Sequence, residues 1–175
     1  HGLMDDIEYL SSIATYYNIP LHVDACLGGF LLPFYDNSNK SNTQIQPIKY
    51  DFCLEGVTSI SSDTHKYGLC PKGSSVLLYR DKKYMEHQYF IQSEWTGGIY
   101  ATTNMTGSRS GLMVSLTWAI IQNNGFDTYR ENAEIVRKNV IYLSEQLRLI
   151  DGVIVYGNPT ICVVGIGSDK YNIYG

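Results

Sequence analysis

A lysine preceded by a histidine stands in Ser59-Ile60-Ser61-Ser62-Asp63-Thr64-His65-Lys66-Tyr67-Gly68, where a β-branched run gives way to a polar loop. An amine delivered at the end of a strand can form an imine, provided that it gives up its proton near neutral pH. Partial burial, a positive neighbour or both would lower the pKa of Lys66 for that purpose. Asp24 stands 42 residues earlier, at the end of another short apolar run, and is followed by the small residues Ala25, Cys26 and Gly28. A carboxylate keeps a pyridine nitrogen protonated, a pyridinium accepts electrons from a carbanion, and small residues let a flat ring approach the backbone. The two residues together therefore suit a pyridine-ring aldehyde such as pyridoxal 5'-phosphate (PLP). Each taken alone has a blander reading: a lysine after a histidine is commonly a surface lysine, and an aspartate at a strand end is commonly a cap. The combination, on two apolar strands, is what points to chemistry. His22-x-Asp24 also has the makings of two metal ligands, but no third ligand stands at suitable spacing, so no metal is expected.

The elements that must position these groups can be read from periodicity. Ile7, Leu10, Ile13, Ala14 and Tyr17 recur at helical spacing behind Asp5 and Asp6, which predicts a capped amphipathic helix over about residues 6–17, ended by Asn18-Ile19-Pro20. Leu21-His22-Val23-Asp24-Ala25 reads as a buried strand delivering Asp24 to a cleft, Val57-Thr58-Ser59-Ile60-Ser61 as a second strand, and Ser74 to Tyr79 as a third. The Asn- and Ser-rich stretch 35–49 has the composition of a surface loop. The segment 84–100 is polar and aromatic, and is expected at the surface. Leu112 to Ile121 is apolar on nearly all sides and predicts a buried helix. A longer amphipathic helix is expected from about 127 to 149, with Ile135, Val136, Val140, Leu143 and Leu147 on its stripe and Gly152 beyond its end. Val153-Ile154-Val155-Tyr156 and Ile161-Cys162-Val163-Val164 then read as paired strands. The class is α/β, with a change to α+β near Gly152.

The 175 residues are 44% hydrophobic, enough for a sizeable core, and 13 basic against 17 acidic residues leave a net charge of −4. That balance excludes the clustered positive charge of a nucleic-acid surface. Cys26, Cys53, Cys70 and Cys162 are scattered without metal-ligand spacing, as expected in a reducing compartment. No membrane-length apolar run or signal pattern is present. His1-Gly2 leads straight into a helix pattern and Tyr174-Gly175 follows a strand pattern, so the chain is expected to be a fragment.

Four stretches carry a family resemblance: His22 to Phe30; Val57 to Gly68 with Pro71-Lys72-Gly73-Ser74-Ser75; Gly97-Gly98-Ile99-Tyr100-Ala101; and Gly107-Ser108-Arg109. In this order they closely resemble sphingosine-1-phosphate lyases, within the PLP-dependent group II decarboxylase superfamily. The resemblance implies an aspartate aminotransferase-like (fold type I) large domain over residues 1–125, and a linking helix with the start of a smaller α+β C-terminal domain over residues 126–175. It implies that Lys66 carries PLP as an internal aldimine, that Asp24 pairs with its ring nitrogen, that His65 lies against the cofactor or its phosphate, and that Cys26 packs on the ring. It further implies that Lys72 and His1 face the substrate, and that Gly98 offers its N–H to the cofactor phosphate of a neighbouring subunit in a homodimer. The implied activity is cleavage of a phosphorylated sphingoid base into a long-chain aldehyde and ethanolamine phosphate. The implied location is the cytoplasmic side of the endoplasmic reticulum through an anchor outside this chain in eukaryotes, or the cytoplasm in bacteria. An amino-acid decarboxylase of the tyrosine or glutamate kind shares the Asp-Ala and His-Lys patterns and is the alternative, with a non-catalytic binding or dimerisation module as a second. The chain departs from the family at Ser62, where a small Ala is usual, and at Thr102-Thr103-Asn104, where a Ser-Pro turn is usual.

Overall fold

Helix α1 (Ile7–Tyr17) begins where the Asp6 carboxylate accepts the N–H of Tyr9 at 2.9 Å and ends where Asn18 turns left-handed. The computed structural model describes residues 2–35 and 48–172. His1 and most of the Asn-rich stretch lie outside the described residues. Ser11 and Ala14 face inward from α1, and the Ser11 hydroxyl accepts the buried N–H of Gly56 at 2.9 Å. This contact ties the helix to the turn that opens the second strand.

Strands β1 (Leu21–Asp24) and β2 (Val57–Ser62) run parallel, and β3 (Val76–Tyr79) adds to β2 antiparallel, in the order β1-β2-β3. After an irregularity between Leu21 and His22, the register pairs His22 with Ser59, Val23 with Ile60 and Asp24 with Ser61. Because side chains alternate across a sheet, one face presents Val23 and Ile60 to the core, and the other presents His22, Asp24, Ser59 and Ser61. The core gathers Val23, Ala25, Leu31, Leu32, Val57 and Ile60, closed from the far side by Ala133. Arg80, just beyond β3, donates to the carbonyls of Val57 at 2.7 Å and Phe52 at 2.9 Å, holding the approach to β2.

A short helix α2 (Lys82–Met85) leads to a hairpin of β4 (Phe90–Gln92) and β5 (Tyr100–Thr102), paired antiparallel. Aromatic and β-branched residues made these strands possible, but the alternation was hidden because both faces are exposed; Phe90, Ile91, Trp95 and Ile99 all lie open. The two expected helices appear as one run, α3 (Gly111–Arg148), broken at Gly125 by a left-handed φ of 64°.

Three expectations are corrected. The first half of α3 is not buried within this chain: Leu112, Val114 and Trp118 are more than half exposed. The second half buries Tyr129, Ala133, Val140 and Ser144, while Ile135 and Leu143 point outward, so the stripe is rotated relative to the expected one. Near the end, β6 (Ile154–Val155) pairs with β7 (Ile166–Gly167) and not with residues 161–164. Ile161 is taken by the core, where its carbonyl accepts the Tyr35 hydroxyl at 2.7 Å. Among the described residues no helix is long and apolar enough to cross a membrane.

Tyr129 links α3 to the loop after β2: its buried hydroxyl donates to the Gly68 carbonyl at 2.9 Å. Tyr129→Phe would leave that carbonyl with the weak thiol donor of Cys70 at 3.3 Å. The expected loss is about 1–2 kcal/mol of unfolding free energy, measured by denaturant titration of the full-length protein; an unchanged midpoint would show that the bond contributes nothing.

Candidate cofactor site

Asp24 ends β1, and its Oδ1 accepts the N–H of Cys26 at 3.0 Å and the hydroxyl of Ser61 at 3.1 Å. The first of these is the cap-like turn expected of an aspartate at a strand end. The carboxyl is held below its ordinary pKa, chiefly by the thiol and N–H of Cys26, with Ser61 and the nearby His22 adding to the effect against partial burial. Asp24 opens onto a cleft of about 400 Å³ bounded by residues 2–5, by Ala25 and Gly28, and by Ile161, Cys162 and Val163.

The loop after β2 is wound tightly. Thr64 is fully buried, its carbonyl accepts the Cys70 N–H at 3.0 Å, and its hydroxyl is bonded to that of Ser74. A Cβ on Gly68 would strike the Thr64 backbone, so the close return needs glycine. Leu69 adopts a left-handed φ of 61°, uncommon for a residue with a branched side chain. On this frame Lys66 projects with about a third of its side chain exposed, and its Nζ lies 2.9 Å from Asp63 Oδ2.

Asp63 was not singled out from the sequence. It is largely buried, accepts the Ser75 hydroxyl at 2.6 Å, and has its pKa lowered to about 2 by Ser75 first and Lys66 second. The consequence reverses an expectation: the Lys66 pKa is raised, not lowered, because the Asp63 carboxylate bonds its ammonium, and Cys26 and Asp24 act in the same direction more weakly. His65 places Nδ1 at 2.7 Å from the Ser74 carbonyl, which can only accept, so Nδ1 carries the proton; Nε2 lies 3.8 Å from Asp63.

The remaining expected residues divide. Cys26 is half-buried beside Asp24, with its thiol 3.5 Å from Ser61 Oγ, and burial pushes its pKa up. Lys72 is exposed on the same loop as Lys66. Gly98 turns with φ 108°, and its N–H donates to the Trp95 carbonyl at 3.0 Å, so the donor expected to reach a partner's phosphate is engaged in its own turn. His22 bonds Ser59 at 2.8 Å and Ser61 at 3.2 Å. The serines were legible only as strand residues. That they face His22 and Asp24 at matching two-residue spacing becomes visible once the register is known.

The arrangement is an ionised carboxylate at the end of β1 and a primary amine on the loop that follows the neighbouring parallel strand β2, with Ala25 and Gly28 lining the cleft beside the carboxylate. The profile of the family described as pyridoxal-dependent decarboxylase conserved domain matches residues 1–155, and the chain belongs to that family. Its fold is the type I fold of PLP enzymes, its cofactor is PLP, and the donor set fits that group: Asp24 for the ring nitrogen and Lys66 for the aldehyde. The chain is 41% identical over 174 residues to sphingosine-1-phosphate lyase of Drosophila melanogaster, covering 99% of this chain and 31% of that protein. The structure of Burkholderia pseudomallei K96243 sphingosine-1-phosphate lyase superposes with TM-score 0.85 at 40% identity, covering 97% of this chain and 37% of the other. Glutamate decarboxylase of Lactobacillus brevis CGMCC 1306 follows at TM-score 0.75 and 27% identity, over 96% and 38%. The chain thus spans about a third of the length of these proteins.

Asp63→Asn removes the carboxylate that holds the Lys66 proton. The midpoint for modification of Lys66 by an amine-selective reagent, followed by peptide mass mapping across pH in cofactor-free full-length protein, should move to lower pH. A midpoint that stays in place would show that Asp63 does not set the charge of the amine.

Proposed function

We propose that the full-length protein is a PLP-dependent carbon–carbon lyase that cleaves a phosphorylated long-chain base of the sphingosine 1-phosphate type into a long-chain aldehyde and ethanolamine phosphate. The observation that carries this reading is the placement of Asp24 and Lys66 at the carboxyl ends of β1 and β2, whose parallel register aligns Asp24 with Ser61, five residues before Lys66. The similarity to sphingosine-1-phosphate lyases over 99% of the chain supports the lyase over the decarboxylase, whose representative is less similar in both sequence and fold.

PLP, when bound, supplies the electron sink for carbon–carbon cleavage. Asp24 keeps the ring nitrogen protonated because its own carboxylate is held ionised by Cys26 and Ser61. Lys66 Nζ tethers the cofactor and, when free, is held by Asp63 as an ammonium that can return a proton to carbon. Lys72, a point charge on the same loop, is the proposed partner of the substrate phosphate. The exposed apolar hairpin side chains Phe90, Ile91, Trp95 and Ile99 support a homodimer contact. The site is proposed to face the cytoplasm.

Borohydride reduction of the full-length protein with PLP should place the pyridoxyl label on Lys66, and Lys66→Ala should abolish both label and aldehyde release. Carbon dioxide from tyrosine or glutamate, with no long-chain aldehyde, would replace the lyase by the decarboxylase. Lys72→Met should raise KM for the phosphorylated base on the order of ten- to a hundredfold while leaving cofactor loading intact. An unchanged KM would exclude Lys72 from phosphate binding.

A further inference from the structure

The hydroxyl of Ser61 has one proton and three polar neighbours: Asp24 Oδ1 at 3.1 Å, His22 Nε2 at 3.2 Å and Cys26 Sγ at 3.5 Å. An ionised carboxylate only accepts, so the Ser61 proton goes to Asp24. With that proton committed, the oxygen can only accept from His22, which must carry a hydrogen on Nε2, while the Cys26 thiol is shared between Ser61 and Asp24. The second ring nitrogen, Nδ1, lies 2.8 Å from Ser59 Oγ, a hydroxyl that can turn to donate or to accept. Neutral His22 is therefore confined to its Nε2–H tautomer, and the imidazolium is also accommodated, donating at both nitrogens. The geometry is set by the backbone, because His22 faces Ser59 and Asp24 faces Ser61 in the register of β1 on β2. A serine and a histidine on a polar sheet face can be mere packing. What distinguishes this pair is that the one proton of Ser61 has a single consistent assignment, fixed by the charge of one carboxylate.

We propose that Ser61 is a positioning residue that couples the proton on His22 Nε2 to the charge of Asp24, orienting and polarising the carboxylate that meets the ring nitrogen. The inference rests on the reading of Asp24 as the partner of that nitrogen and goes beyond it, since it assigns roles to Ser61, His22 and Ser59. The other titratable groups around Asp24 are Cys26 on the turn after β1, Asp63 and Lys66 on the loop after β2, and Asp5 and Cys162 on the segments that wall the cleft. Of these, Cys26 touches both Ser61 and Asp24, and the others make no hydrogen bond to His22, Ser61 or Asp24 among the described residues.

The test uses full-length protein, free of cofactor and then loaded with PLP, with nitrogen-15 histidine and carbon-13 aspartate labels assigned by His22→Gln and Asp24→Asn. Above the imidazole pKa, wild-type His22 should show the Nε2–H tautomer; an Nδ1–H tautomer would overturn the proposal without any variant. Ser61→Ala should release the tautomer preference and move the Asp24 carboxyl titration upward by roughly half a pH unit, with a matching shift in the pH dependence of the bound cofactor's absorbance. Ser61→Thr, which keeps the hydroxyl, should restore all three. If Ser61→Ala leaves tautomer and titration unchanged while Lys66 still takes the borohydride label, the coupling is wrong and the cofactor reading stands. If both shifts appear in the cofactor-free protein and Lys66 takes no label, the coupling stands and the cofactor reading falls.

Discussion

The parallel pairing of β1 with β2 is the interaction on which the site depends. Parallel neighbours bring their carboxyl ends to the same edge of a sheet, which is where ligands of α/β proteins gather. Here that edge receives Asp24 from one strand and the Lys66 loop from the other. Because the side-chain period is two, a slip of one residue would turn His22 and Asp24 into the core and bring Val23 out to the cleft. The burial of Val23 at 6% and Ile60 at 5% exposure therefore does more than exclude water: it selects the register in which the polar set shares a face.

The loop that carries Lys66 is held by short-range constraints and not by apolar burial alone. A left-handed Leu69, a glycine pressed against Thr64, and the Tyr129 bond to Gly68 restrict it from three sides. Backbone strain of this kind costs on the order of 1–3 kcal/mol per residue and persists only where surrounding structure enforces it. The enforcing structure includes α3, so a helix far along the chain helps to fix where the amine sits. Precise placement of a reacting amine is worth more to a covalent site than loop stability.

Much of this was legible in the residues. Helix α1 and strands β1 to β3 follow from strong periodicity with clear stop signals, and Lys66 and Asp24 from their positions at strand ends. Less legible were elements whose pattern depends on distant partners. Strands β4 and β5 lack a buried face, so alternation gave no signal, and residues 161–164 have strand composition, but Ile161 and Cys162 pack on the core and Tyr35 takes the Ile161 carbonyl. The apolar first half of α3 matches a buried helix in composition while lying exposed within a chain that spans about a third of its relatives. Ser61 and Asp63 escaped notice for another reason. Serine and aspartate are ordinary in loops and strand ends, and only a known register and a known loop path turn them into a hydroxyl with three polar neighbours and a carboxylate held by Ser75 and Lys66.

Asp24 and Asp63 illustrate how one edge can use the same side chain twice. Both have lowered pKa values, so both are ionised at neutral pH, but the causes differ in strength and kind. Asp63 is largely buried, with a short hydroxyl bond and an ammonium against it, and its charge is already matched by Lys66. Asp24 borders the cleft and is supported by a backbone amide, a thiol and a hydroxyl, which stabilise negative charge without neutralising it. A positive group entering the cleft therefore finds an uncompensated carboxylate at Asp24 and a compensated one at Asp63. Divided in this way, one carboxylate is left open to a cation and the other holds the lysine, and neither can take the other's task without losing its own donors.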